Sequence, residues 1–242
     1  MTEEYKKLLA ENFARLRENI KKYAKDGKEP LVVAATKTVD AETVNYAAEN
    51  LGLTDIGENR VQELLAKYDQ LDKDRLNIHF IGHLQKNKVK YIVGKVCLIH
   101  SLDSYELALE IEKQSAKLGI VSDVLVEVNI GAEENKSGAD LSQVSEIVEK
   151  VSALEHVRVR GMMTIGPKCD SFDSYREYFD KTYSLFSEIF LDKSDKKGHN
   201  VDGYILSMGM SDSYEAAIAS GANVIRPGQC LFGARSYPQK AE

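Results

Sequence analysis

Lys37 ends an apolar run, Leu31-Val32-Val33-Ala34-Ala35-Thr36-Lys37-Thr38. Five apolar residues in a row read as a strand buried on both faces. Pro30 suits its entrance, because proline cannot donate into a central ladder. An amine at the carboxyl end of such a strand faces the ligand site of an α/β protein, where it can act as a nucleophile towards a carbonyl. The plain alternative is a lysine that leaves the sheet for water. Two further stretches carry chemistry. Ser207-Met208-Gly209-Met210-Ser211-Asp212 turns from a strand towards a helix, with the amides of Met210 and Ser211 expected to face outward. Arg226-Pro227-Gly228-Gln229 makes a second glycine turn. Each alone reads as an ordinary turn; together they can cradle a phosphate. An amine and a phosphate corner suit a phosphorylated aldehyde held as a Schiff base.

The elements that position these residues follow from periodicity. Tyr5, Leu8, Leu9, Phe13, Leu16, Ile20 and Tyr23 recur at three and four, so 3–24 reads as an amphipathic helix closed by Gly27. After Lys37, Asp40 is an N-cap for a helix to about residue 50, carrying Val44, Ala47 and Ala48. Further strands are expected at 53–57, 78–82, 96–100, 124–129, 157–163, 204–207 and 223–226. A basic helix at 86–90, a helix capped by Ser101-Leu102-Asp103, a long helix from Phe172 to Ile189 and one at 212–220 fall between them. Eight strands, nearly all separated by helices, predict a (β/α)8 barrel, with a doubly wound open sheet as the alternative. Lys37, Asn59, His83, Ser101, Asn129, Met163, 207–211 and 226–229 then lie at the carboxyl ends of strands and line one mouth. The turns at 207–212 and 226–229 follow strands seven and eight, where barrels commonly build phosphate sites.

Composition narrows the function classes. A net charge of −6 over 242 residues speaks against a nucleic-acid or anionic-membrane partner. No apolar run approaches the roughly 20 residues that span a bilayer, and the acidic N-terminal stretch does not read as a signal peptide. Cys97, Cys169 and Cys230 are odd in number and far apart, which suits reduced thiols in a cytoplasm and no metal framework. With four prolines and no low-complexity run, residues 1–242 read as one domain, its first 26 residues a helix that packs on the barrel. His79 and His83 flank a strand, so a shared metal is not expected, and Lys86, Lys88 and Lys90 read as a solvated face. Cys230 reads as a packed thiol and Lys136 as a solvated loop lysine.

From about residue 31 to 235 the chain resembles the pyridoxal phosphate homeostasis proteins, single-domain barrels related to the N-terminal domain of alanine racemase. The resemblance rests on 33–38 around the lysine, on Gly57-Glu58-Asn59-Arg60-Val61-Gln62-Glu63 and on His79-Phe80-Ile81-Gly82-His83-Leu84-Gln85-Lys86-Asn87-Lys88. Val128-Asn129 with Glu134, Lys136 and Gly138, then Gly161-Met162-Met163-Thr164-Ile165-Gly166, 206–212 and 226–235 complete it. It implies pyridoxal 5′-phosphate held as an internal aldimine on Lys37. It further implies Ser207, Gly209, Met210, Ser211 and Gly228 around the phosphate, Arg226 facing the pyridine nitrogen and Asn59 near the ring. The chain departs from the family at Gln229, where threonine or serine is usual, and at Pro227, where an aliphatic residue is common. A backbone amide at Gln229 would then stand in for the hydroxyl.

An arginine opposite the pyridine nitrogen disfavours a second positive charge there, and so weakens the cofactor as an electron sink. Racemases of this type accept that limitation and add a tyrosine base from a second, β-rich domain, for which the 242 residues leave no room. The expectation is therefore a non-catalytic, monomeric, cytoplasmic carrier that buffers or delivers pyridoxal phosphate, with cofactor-requiring apo-enzymes as recipients. A pyridoxal-phosphate racemase of small amino acids is the alternative. A phosphosugar enzyme that uses Lys37 for its own Schiff base is a third reading.

Overall fold

The structure, a computed structural model, describes residues 1–24, 27–131, 133, 137–191 and 201–233, and only the backbone over 201–204. Eight strands close into a barrel in sequence order, every neighbouring pair parallel. They are β1 (Leu31–Ala35), β2 (Asp55–Glu58), β3 (Asn77–Phe80), β4 (Leu98–Leu102), β5 (Ser122–Val128), β6 (Val157–Thr164), β7 (Val201–Ser207) and β8 (Val224–Ile225). β8 is only two residues long, yet it closes the ring, pairing Leu31 with Val224 and Val32 with Ile225. The expected (β/α)8 barrel is the fold, and the open sheet is excluded by that closure.

Alternation along each strand sorts side chains between the barrel interior and the layer under the helices. Val33, Ile81 and Val224 form one interior cluster and Leu98, Leu125 and Met163 another. Ile56, Phe80, Ile99, Val126 and Leu206 point outward into the larger core beneath the helices. Those helices are α1 (Glu3–Tyr23), α2 (Ala41–Leu51), α3 (Val61–Lys67), α4 (Val89–Ile92), α5 (Tyr105–Leu118), α6 (Val144–Ser152), α7 (Phe172–Phe186), α8 (Tyr214–Ala219) and α9 (Gln229–Phe232). Asp40 caps α2 as expected, its carboxylate accepting from the Thr43 amide. α1 buries Leu9, Phe13, Leu16 and Ile20 and is tied to α9 by two bonds. Tyr5 donates to the Phe232 carbonyl at 3.0 Å and Asn12 to that of Leu231 at 2.9 Å. Among the described residues no helix is long and apolar enough to cross a membrane.

Four local expectations are corrected. β4 runs from Leu98 to Leu102, two residues later than the apolar run suggested, so Ser101 is a buried strand residue and Ser104 caps α5 instead. The basic stretch begins as a 3-10 turn, Lys86–Lys88, before the single α-turn of α4. α7 ends at Phe186 and continues as a π-helical turn to Leu191. α8 starts only at Tyr214, so Ser211 is not at its N-terminus.

Candidate functional site

Lys37 sits in a turn that is held from beneath. Past β1 the Val39 amide closes back onto the Thr36 carbonyl at 3.0 Å. Thr38 adopts φ 66°, and is the sole non-glycine residue with positive φ among the described residues. Lys67, the last residue of α3, donates to the Thr36 carbonyl at 2.8 Å and to the Val39 carbonyl at 3.0 Å. Its ammonium also lies 2.6 Å from Glu58 Oε1, on a carboxylate with no exposure. The Thr36 hydroxyl donates to the same oxygen. Burial pushes the Glu58 carboxyl upward in pKa, against the pull of Lys67 and Thr36. The backbone on both sides of Lys37 is therefore fixed by a buried ion pair. Glu58 stands in the Gly57–Glu63 motif without an assigned role, and Lys67 looks like any lysine at a helix end, so neither drew notice as a sequence feature.

The turns after β7 and β8 meet that lysine. A cavity of about 330 Å3 brings together Lys37, Met210, Ser211, Arg226, Gly228 and Gln229. The Ser211 hydroxyl accepts the amides of Gly228 at 3.1 Å and Cys230 at 3.2 Å, stitching the two turns to each other. The Met210 amide donates to Ser213 Oγ at 3.1 Å, and so is engaged within its own turn. Gly228 passes β1 so closely that an added Cβ would lie 3.0 Å from the Ala35 carbonyl oxygen. Gly209 adopts φ 91° with its Cα against α8, where a Cβ would meet that of Ala217 at 2.5 Å. Its role is to shape the turn, and its carbonyl accepts the Arg226 amide at 2.9 Å. Asn59, past the end of β2, has a buried side-chain oxygen with no hydrogen-bond partner among the described residues. Burial raises the Cys230 thiol, in keeping with a packed cysteine. Glu134, Lys136 and Arg235 lie outside the described residues.

Ser207 is placed differently from the phosphate role that the resemblance implies. It has no exposure, and its hydroxyl is engaged with Arg226 Nη1 at 2.7 Å and His100 Nδ1 at 3.0 Å. His100 Nε2 lies 2.9 Å from His79 Nδ1, and His79 Nε2 lies 3.0 Å from Asp55 Oδ1. Arg226 Nη2 reaches the Thr164 carbonyl at 2.8 Å. Burial draws the Arg226 guanidinium down to about 10, with Glu127 opposing, which still leaves it charged at neutral pH. His100 is driven well below the ordinary histidine value, first by burial and then by His79 and Arg226. His79 and His83 do not share a centre, since His83 is exposed and pairs with Asp103 at 3.4 Å. The contacts that join these residues were not legible from spacing, because the five belong to or directly follow five different strands.

The residues match the alanine racemase N-terminal domain family over 10–236. A pyridoxal phosphate homeostasis protein from Aquifex aeolicus is 46% identical over 206 residues, 85% of this chain and 87% of that protein. One from Escherichia coli K12 is 33% identical over 239 residues, 96% and 99% of the two chains. PipY of Synechococcus elongatus, solved with PLP bound, superposes with a TM-score of 0.79 at 30% identity, over 93% of this chain and all of that one. The chain belongs to the pyridoxal phosphate homeostasis protein family. Its residues also fit the group that the family name specifies. The cavity offers a primary amine, a buried guanidinium and a turn with no room for a side chain at Gly228.

Two outcomes follow from this geometry. Lys67→Met leaves Glu58 buried and unpaired, and lowers the unfolding free energy by about 3–5 kcal/mol in urea denaturation. Adding Glu58→Gln recovers much of that loss, and no recovery would show that the ion pair does not anchor the turn. His100 binds a proton when unfolded but not when folded, so its contribution is present above its unfolded pKa and lost as pH falls below it. The unfolding free energy measured from pH 7 down to pH 5 therefore falls by up to about 1.4 kcal/mol per pH unit from this group. His100→Gln flattens the slope.

Proposed function

We propose that this chain holds pyridoxal 5′-phosphate as a Schiff base on Lys37 and serves the intracellular supply of that vitamin B6 cofactor, without itself catalysing a reaction. The observation that carries the reading is one cavity containing Lys37, Arg226 and the stitched turns at Ser211 and Gly228. The lysine amine would add to the cofactor aldehyde with loss of water, and the linkage reverses by hydrolysis. Ser211, Met210, Gly209 and Gly228 would shape the phosphate corner, with the Gln229 amide standing in for the hydroxyl that the resemblance leads one to expect. Arg226 would face the ring nitrogen, with Ser207 behind it, and the orphaned Asn59 oxygen is a candidate ring contact. The PLP-bound PipY relative and the family's name support the ligand. The cofactor, when bound, supplies an electrophilic imine carbon and an electron-accepting ring.

Arg226 supports holding over catalysis. A guanidinium beside the ring nitrogen opposes its protonation, and an unprotonated ring stabilises a carbanion poorly. A racemase also needs a proton-transfer group on each face of the substrate carbon. Tyr5, the tyrosine on the cavity wall, has its hydroxyl on the Phe232 carbonyl and its pKa raised by burial and Asp40. The reading extends to a cytoplasmic monomer whose recipients are apo-enzymes that require pyridoxal phosphate.

Titrating the protein with pyridoxal phosphate should give a yellow imine band, and borohydride should fix the cofactor on the peptide that holds Lys37. Lys37→Ala should stay colourless. Attachment at another lysine, or an unchanged band in the variant, would overturn the reading. Release of α-deuterium from labelled alanine above the protein-free cofactor rate would favour the racemase instead.

A further inference from the structure

Asp55, His79, His100, Ser207 and Arg226 belong to or directly follow β2, β3, β4, β7 and β8. β2, β3 and β4 are neighbours, so the first two contacts run along the sheet wall. β4 and β7 are not neighbours, so the 3.0 Å contact between His100 and Ser207 must cross the barrel interior. Barrels normally fill that space with branched apolar side chains. Here all five groups are at most 5% exposed. Exchanging a buried polar network for well-packed apolar residues is often neutral or stabilising, so fold stability alone gives little reason for this one.

The direction of every hydrogen follows from the two ends. A guanidinium only donates and a carboxylate only accepts. Arg226 Nη1 donates to Ser207 Oγ. Among the described residues the only acceptor within reach of the serine hydrogen is His100 Nδ1. His100 then carries its proton on Nε2 and donates it to His79 Nδ1. His79 in turn donates from Nε2 to Asp55 Oδ1. Each hydrogen is used once, and both imidazoles are neutral with the proton on Nε2. Asp55 remains ionised: burial raises its pKa, but His79, Thr54 and Asn77 together bring it below the usual carboxylate value. With Nη2 on the Thr164 carbonyl, the guanidinium is gripped on two sides and directed along one line towards the cavity it lines.

We propose that Asp55, His79 and His100 are positioning residues that act through Ser207 to hold the Arg226 guanidinium in one orientation at the cavity. Its consequence for the cofactor rests on the functional reading above; the orientation itself does not. The barrel interior is thereby part of the site, and a change at Asp55 is felt across four hydrogen bonds.

The test uses the whole protein, nitrogen-15 labelled and free of cofactor, at pH 7.5. Long-range proton–nitrogen spectra should show His79 and His100 as neutral Nε2–H tautomers, and Arg226 with distinct, slowly rotating Nη groups. A Nδ1–H tautomer at either histidine, or a freely rotating Arg226, would overturn the proposal. His100→Leu removes the link, whereas His100→Gln keeps one acceptor and one donor on a single side chain. Loss of one such bond should release Arg226 rotation in the leucine variant and weaken pyridoxal phosphate binding about tenfold. The glutamine variant should restore both to within about threefold, since its two bonds survive. A folded leucine variant with wild-type Arg226 rotation and affinity would contradict the claim. Should that variant not fold, Asp55→Asn keeps the shape and removes the terminal charge. It should broaden or switch the His79 tautomer, and an unaltered His79 would contradict the claim. Wild-type protein that takes up no pyridoxal phosphate would sink the functional reading, and the Arg226 rotation then decides the positioning claim by itself.

Discussion

A guanidinium only 3% exposed must have its donors met inside the barrel, or else the charge would cost more than a fold of this size can absorb. Arg226 meets that demand with the Ser207 hydroxyl and the Thr164 carbonyl, and Ser207 passes the demand inward through His100 and His79 to Asp55. The interior of this barrel is therefore divided. One part is filled by Val33, Ile81, Leu98, Leu125, Met163 and Val224 in the ordinary way. The other is a polar thread that joins the carboxylate at the start of β2 to a cation at the cavity. A cation fixed there sets the chemistry available at the mouth, because it opposes protonation of any basic ring that binds beside it.

The lysine is fixed by the same kind of constraint on the other side of the sheet. Glu58 points outward from β2 into the layer beneath the helices, where α3 delivers Lys67 to it. That pair also binds the carbonyls of Thr36 and Val39, so the turn carrying Lys37 is anchored on protein rather than left to solvent. Buried ion pairs seldom add stability over an apolar core, but they are costly to break. Both features place charge where geometry matters more than net stability. The stitched turns at Ser211 and Gly228 add the third side, and the cavity lies where these three supports meet.

Strand order and barrel closure could be read from the sequence because most strands carry a short apolar run and most crossovers a helical pattern, β2 with only Ile56 being the weakest signal. Strand ends were less legible. Val96-Cys97 continue the apolar run before β4, yet Cys97 is exposed, and its amide donates to the Ile78 carbonyl just ahead of the strand. α8 begins after Ser213, since Ser213 turns its hydroxyl back to Met210 instead of capping the helix. Lys37 and the two glycine turns stood out because they interrupt apolar strands with polar or flexible residues. His100, Asp55 and Lys67 could not, because their meaning depends on partners that are not their neighbours along the chain, up to 107 positions away, and that meet only in the folded barrel. Ser207 shows the same limit: its place in a motif suggested phosphate, while its fully buried hydroxyl serves the arginine.

The most direct measurement is the electron density of the cavity in a crystal of the whole protein soaked with pyridoxal phosphate. Continuous density from Lys37 Nζ, with the phosphate against the turns at 209–211 and 228–230 and the ring nitrogen facing Arg226, is the predicted result. Cofactor density outside this cavity, or inside it with no bond to Lys37 and the ring turned away from Arg226, would contradict the account.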